Sequence, residues 1–300
     1  MTHARLFRVA LAALLAVAGG TAAAPVVAAQ TGALPQKHIL FRAVGPKGAT
    51  VYLLGSVHLL TPEAGKLPPE VDSAYAHAKT IVFETSLDTA MLSAQDLLAR
   101  AQYANGATLR SSLSAATLAR LDTVLPQYGV TVDQLNGFKP WFVSVMVSQL
   151  AMQRANFQAE YGVDMQINAR ARASGKKVVG LEPVAYQLAL FDSMPAADQE
   201  EMLRETTSPD SAVAELTRIK DAWLTGDAAK LDSIVNRPTP GSARLVDELV
   251  TQRTRHWVPE IEALLGGTTD ALVVVGAAHL VGAQGVIALL RARGYRVEQL

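Results

Sequence analysis

The sequence predicts an α/β fold: a central mixed or parallel sheet flanked by helices, with a large helical insertion. Three observations predict it. Apolar runs such as Leu272 to Val275 lack any polar alternation, the mark of strands covered on both faces. Such runs lie in both outer thirds of the chain and once more at residues 177–181. Between the first group and that third run, residues 89–161 carry apolar side chains three and four apart, the helical period.

The amino terminus reads as a secretory signal peptide. Arg5 and Arg8 precede an apolar or small run from Val9 to Gly20, and Val27-Ala28-Ala29 offers a cleavage site of the A-x-A kind. The apolar core is too short for a bilayer, which needs roughly 20 residues. The expected organisation is a signal peptide at 1–29 and one domain at 30–300, in a periplasmic or secreted protein. An uncleaved anchor is the alternative. Removal takes away two arginines and no acids, leaving a net charge near −2. That balance gives no electrostatic footprint for nucleic acid or an anionic surface. No later segment is long and apolar enough to span a membrane, so no integral membrane association is expected after signal removal. The 300 residues contain no cysteine, which excludes disulfides, thiol nucleophiles and cysteine-held zinc.

The elements follow in order. His38–Ala43 and Thr50–Leu54 flank Gly45-Pro46-Lys47-Gly48 and predict a hairpin. A loop with three prolines, a helix over 70–79 and a strand over 80–83 come next. Pro140 suits the first turn of a helix within the insertion. Asp164 is placed to cap the following helix, which stops near Gly175. Residues 177–181 form a strand and 184–232 several helices. A loop at 236–241 precedes a helix over 242–265, a strand over 271–275, a helix over 284–293 and a strand over 295–300.

Two pairs of segments carry the chemistry. Val51-Tyr52-Leu53-Leu54-Gly55-Ser56-Val57-His58-Leu59 echoes Leu272-Val273-Val274-Val275-Gly276-Ala277-Ala278-His279-Leu280: an apolar strand, a glycine, two small or apolar residues, a histidine and a leucine. Ile81-Val82-Phe83-Glu84 rhymes with Val178-Val179-Gly180-Leu181-Glu182, each an apolar strand ending in glutamate. Ligands of open α/β sheets bind beyond the carboxyl ends of the strands, where all four groups fall. His58, His279, Glu84 and Glu182 together suit a divalent metal, and a glutamate outside the ligand set suits a general base. Each residue also has a plainer reading. The histidines can be packing residues, Glu84 a helix cap or ion-pair partner, and Glu182, before Pro183, a surface residue. Ser56 lacks the G-x-S-x-G elbow of a serine hydrolase, and neither HExxH, a P-loop nor G-x-G-x-x-G occurs.

Over roughly residues 38–300 the chain resembles the TraB/GumN family (TraB/PrgY/GumN), which includes the Tiki metalloproteases. The resemblance rests on the YLLGSVH and IVFE segments, Lys139-Pro140-Trp141, Tyr161-Gly162-Val163-Asp164, Gly180-Leu181-Glu182-Pro183, Trp223 with Gly226-Asp227, Arg253 with Trp257, and VVVGAAHLVGAQGVIALLRARGYRV. It implies kinship with erythromycin-esterase-like and ChaN-like folds and a metal-dependent hydrolase acting on peptide or protein substrates. The cofactor expected from it is a divalent metal ion of the Mn, Co or Zn class. By position, His58 and His279 are the motif histidines, Glu84 and Glu182 their acidic partners, and Arg253 a group for binding a carboxylate or steadying an oxyanion. Thr254 stands where similar members carry Asn, and Pro183 where Thr or Ser is usual. Rival expectations are a non-enzymatic periplasmic ligand-binding protein and an accessory protein for export or surface-polysaccharide assembly.

Overall fold

The computed structural model describes residues 37–85, 93–236 and 243–300; the expected signal peptide lies outside them. Its sheet is mixed, in the order β4-β3-β5-β2-β1-β6. The strands are β1 (Leu40–Val44), β2 (Thr50–Ser56), β3 (Thr80–Phe83), β4 (Lys177–Gly180), β5 (Ala271–Gly276) and β6 (Val297–Gln299). The four central-to-edge strands β4, β3, β5 and β2 are mutually parallel, whereas β1 is antiparallel to both β2 and β6. The expected first hairpin is therefore present, with its turn at 45–48 closed by a Gly48 N–H to Gly45 carbonyl bond.

Register follows from burial and from one carboxylate. Ala271 to Val275 are all buried, as an apolar strand between helical layers demands. Asp270 ties the start of β5 to both neighbours: its carbonyl accepts from Lys79 N–H and its Oδ1 from Thr50 N–H. That aligns Ser56 with Gly276 across β2 and β5, and Phe83 with Val274 across β3 and β5. The parallel strands consequently end together, and the segments leaving them emerge along one edge of the sheet.

The helices are α1 (Pro69–His77), α2 (Ser93–Ala101), α3 (Leu109–Ser112), α4 (Ala115–Val124), α5 (Pro140–Arg154), α6 (Val163–Ser174), α7 (Val184–Asp192), α8 (Ala196–Thr206), α9 (Pro209–Leu224), α10 (Ala228–Val235), α11 (Ala243–Val246), α12 (Gln252–Leu265), α13 (Ala277–Leu280) and α14 (Val286–Ala292). Val71 and Ala74 of α1, Ile167 and Ala171 of α6, and Trp257, Val258, Ile261 and Leu265 of α12 share one core with the strands. The insertion, α2 to α5, builds two further cores with α7 and α8, one around Trp141, Phe191 and Met202 and one around Leu121, Val143 and Leu203. Pro140 opens α5, as its fixed φ favours. Gly175 ends α6 in the left-handed conformation, φ 64°.

Three details differ from the sequence reading. Asp164 does not cap α6: Gly162 holds that position, and Asp164 is the second residue of the helix with its side chain turned inward. The helix expected over 242–265 is interrupted by a π-helical turn, Asp247–Thr251, which shifts the phase of everything after it. A short helix, α13, follows β5 directly, so His279 is helical rather than in an open turn. No helix among the described residues is long and apolar enough to cross a membrane.

Candidate functional site

The strand order explains the site. Across the sheet, the residues beyond β4, β3, β5 and β2 are Glu182, Glu84, His279 and His58 in turn. Arg253 reaches the same edge from the first turn of α12. All five sequence candidates therefore meet, although more than 200 residues separate the two histidines.

Arg253 is the centre of the acidic half. Its Nη2 lies 2.7 Å from Glu84 Oε2 and 2.6 Å from Glu182 Oε1, and its Nε donates to the same Glu182 oxygen at 2.9 Å. Nη1 donates to the Leu249 carbonyl at 2.9 Å and approaches His279 Nε2 at 3.4 Å. Each nitrogen of the guanidinium thus faces a protein group. Its plane lies over Trp257, with the central carbon 4.8 Å from the ring centre. Burial works against the Arg253 charge, but Glu84 and Glu182 outweigh it and hold the group above its usual range. Glu182 is fully engaged: Gln187 Nε2 also donates to Oε1, and Trp257 Nε1 to Oε2.

Glu84 divides its two oxygens. Oε2 accepts from Arg253 and, at 3.2 Å, from Gln187. Oε1 accepts from the Gly276 N–H at 2.7 Å and lies 3.9 Å from His279 Nε2. Burial alone raises a carboxyl pKa; Arg253, both histidines and the Gly276 N–H reverse that and bring Glu84 down to about 2.

The histidines are oriented by different partners in the same sense. His58 Nδ1 lies 3.0 Å from Asp164 Oδ1, which also accepts from Ser56 Oγ at 2.6 Å. His279 Nδ1 lies 2.8 Å from Thr254 Oγ1, whose own proton goes to the Val250 carbonyl at 2.7 Å. The threonine oxygen therefore accepts, so His279 carries its proton on Nδ1 and a lone pair on Nε2. A neutral His58, donating from Nδ1 to a carboxylate, has the same tautomer. Both imidazoles and Glu84 Oε1 border one small space over Gly276. A methyl group built on that glycine stands 3.1 Å from Glu84 Oε1, 3.5 Å from His279 Cδ2 and 3.7 Å from His58 Nε2.

Charge separates the pair. Burial lowers His58, but Asp164 and then Glu84 raise it to about 9; burial carries His279 down to about 3, with Arg253 and His58 adding to the fall against Glu84. Among the described residues, no group of three or more His, Asp and Glu is placed so that it could hold a metal ion. A cleft of about 470 Å³ adjoins the His279 turn, walled by Val250, Ala278 and Val281 and rimmed by Asp232, Asp247 and Arg255.

Four contributors escaped the sequence reading of the site. Asp164 reads in the sequence only as a helix cap, Trp257 stands in a quoted motif without a role, and Thr254 stands there only as a departure. Gln187 carries no sequence signal beyond its place one turn into α7. Ser56, weighed as a nucleophile, spends its proton on Asp164.

The comparisons with known proteins agree on kinship. The model of the TraB/PrgY/gumN family matches residues 39–299. The chain is 23% identical over 246 residues to "Uncharacterized protein YbaP" of Escherichia coli (strain K12), covering 82% of this chain and 89% of that protein. It is also 23% identical over 240 residues to the protein of that name in Shigella flexneri, covering 80% and 87%. No solved structure matches the chain significantly.

Proposed function

The chain belongs to the TraB/PrgY/gumN family, and on that premise we propose that it is an exported metal-dependent hydrolase acting on peptides. The observation that carries the reading is the shared orientation of the two imidazoles. Each has Nδ1 tied to a fixed partner and turns its other edge toward Glu84 Oε1 over Gly276. Anchoring the remote nitrogen of a ligand histidine is the usual outer-shell device of metal sites.

By donor chemistry, two imidazoles and a carboxylate suit a divalent cation of the Mn, Co or Zn class, although their present spacing is not that of a metal shell. The buried charges fit as well. Glu84 and Glu182 share one permanent cation, Arg253, and Asp164 faces His58. In this reading His58, His279 and Glu84 would hold the cation, and the chemistry supplied would be activation of water and polarisation of a substrate carbonyl. Glu182 has both oxygens occupied, so its part is to hold Arg253. Arg253 in turn fixes Glu84 by one oxygen, leaving the other directed at the histidines. The cleft beside the His279 turn has the size of a small-ligand site, although none of the five site residues lines it.

Metal analysis of protein purified without chelators, combined with cleavage of a peptide library, tests this. The expected result is bound divalent metal, turnover abolished by chelator and restored by added metal, and loss of both in His58→Ala and His279→Ala. The double variant loses no more than either single one, because one missing ligand empties the site. Full activity in either single variant would falsify the shared-metal reading. One observation favours a second reading: Arg253 already neutralises part of the acidic half, as a non-enzymatic binding or accessory protein on this scaffold would require. Stoichiometric ligand binding without turnover is its signature. Export is checked by sequencing the amino terminus of envelope protein, where an intact Met1 overturns it.

A further inference from the structure

The Tyr161-Gly162-Val163-Asp164 segment is absorbed by neither sheet nor acidic half, yet it grips the first histidine turn at several points. Val163 N–H donates to the Val57 carbonyl at 3.1 Å. Gly162 lies so close to the His58 carbonyl that a methyl group there would overlap its oxygen. Tyr161 lies over Gly65, leaving no room for a side chain there, and Gln166 ties the Tyr161 and Gly65 carbonyls together at 2.7 Å each. Asp164 is the innermost member, buried, with one oxygen shared between Ser56 Oγ at 2.6 Å and His58 Nδ1 at 3.0 Å.

We propose that Asp164 is the positioning residue of the site, fixing His58 in the tautomer and ring orientation that present Nε2 to Glu84; the proposal rests on the metal-site reading above. Three features of the chain suit the task. The carboxylate is the second residue of α6, at the positive end of the helix dipole, a position that suits an acidic side chain. Gly162 and Val163 lock the backbones of the two segments together, so the carboxylate and the ring cannot drift apart. Ser56 occupies part of the accepting oxygen, so the carboxylate cannot rotate away to solvent. His279 has a neutral hydroxyl in the corresponding place. The carboxylate–histidine pair therefore makes His58 the more basic donor of the two.

The test compares wild type with Asp164→Asn, Asp164→Glu and Ser56→Ala. Affinity for Zn²⁺ and Mn²⁺ is read by competition with a chelator, and the proton on His58 Nδ1 by long-range ¹H–¹⁵N spectra of the metal-free protein. Asp164→Asn removes the anion at constant shape and is expected to weaken metal binding about 10–100-fold and to lose the ordered Nδ1 proton. Asp164→Glu keeps the charge but misplaces it, and falls between; it carries the test if the asparagine variant does not fold. Ser56→Ala leaves the Asp164–His58 contact and is expected to bind metal more tightly than either Asp164 variant. Unchanged metal affinity and an unchanged Nδ1 proton in both Asp164 variants overturn the positioning role while leaving the hydrolase reading intact. Wild-type protein that takes up no divalent metal overturns that reading, and the Nδ1 comparison still decides what Asp164 does to His58.

Discussion

The two Gly-x-x-His turns are near copies in sequence and unlike one another in the folded chain. His58 sits at a bend after β2, partly open, and faces a carboxylate; His279 sits in a helical turn after β5, buried, and faces a hydroxyl and a guanidinium. Asp164 and Glu84 hold one above the usual imidazole range, at about 9, and burial holds the other below it, at about 3. The glycines differ too. Gly55 faces the core, where a methyl would press on Ile39 and Ala277, whereas Gly276 faces the space between the histidines. A repeated motif thus fixes where a side chain emerges from the sheet. The neighbours, drawn from other parts of the chain, fix what it does.

Removing Arg253 is the strongest way to break the comparison, since it is the cation that distinguishes the His279 side. Arg253→Met leaves Glu84 and Glu182 buried without their shared cation. Breaking a buried ion pair by deleting one member costs about 3–5 kcal/mol. Urea unfolding should register that loss; a change below about 1 kcal/mol would mean that the carboxylates are reached by water or protonate freely.

The pH dependence of metal-free protein, held in chelator, sharpens the contrast. The folded pKa of His58 is raised from 6.5 to about 9, so its contribution to stability is complete below 6.5 and is lost as pH rises toward 9. The folded pKa of His279 is lowered from 6.5 to about 3, so protonation at acid pH, which the unfolded chain accepts more readily, erodes stability as pH falls from 6.5 toward 3. Each limb should be on the order of a few kcal/mol, the acidic one the larger. His58→Gln should flatten the alkaline limb, which His279→Gln should leave in place. If His279→Gln flattens the alkaline limb too, the two environments are not as different as their partners imply.

The glycines give a smaller effect of opposite kinds. Gly55→Ala overpacks the core, at about 1–3 kcal/mol of stability. Gly276→Ala should leave stability nearly intact and instead reduce metal retention, because its methyl enters the space bordered by Glu84 and the histidines. Thermal melts and metal content on the two proteins separate these outcomes; equal loss of metal in both would erase the distinction.

Much of this site was legible in the sequence, for a definite reason. Parallel strands leading to Glu84, Glu182, His58 and His279 are read from local patterns, and a sheet brings such ends to one edge without further information. Register and partner choice are not local. Nothing near His58 in sequence announces Asp164, which is 106 residues away and reads as a helix cap until α6 is seen to start at Val163, one residue before it. The π-helical turn is equally silent in the apolar pattern, yet it sets the phase that brings both Arg253 and Thr254 to the site and presents the Leu249 and Val250 carbonyls to them.

The smallest expected effect concerns how each turn is pinned from outside the sheet. Trp223, in the last turn of α9, donates its indole N–H to the Gly55 carbonyl at 2.7 Å in a buried setting. Asn236, just after α10, donates to the Ala278 and Val281 carbonyls at 3.3 and 3.1 Å, half-buried, and to Asp232 at 3.0 Å. The two pins are chemically similar but differ in access to water. Trp223→Phe keeps most of the ring packing and strands a buried carbonyl, a loss of about 1–3 kcal/mol. Asn236→Ala exposes its two carbonyls to the adjoining cleft, where water can replace the amide, so the loss should be nearer to about 0.5–1 kcal/mol, roughly one net hydrogen bond. Amide hydrogen exchange adds a local reading. Trp223→Phe should speed exchange around Gly55 to His58, and Asn236→Ala around Ala277 to Gly282, each leaving the other turn protected. If either substitution loosens both turns together, the motifs are one mechanical unit, and their separate environments do not make them independent.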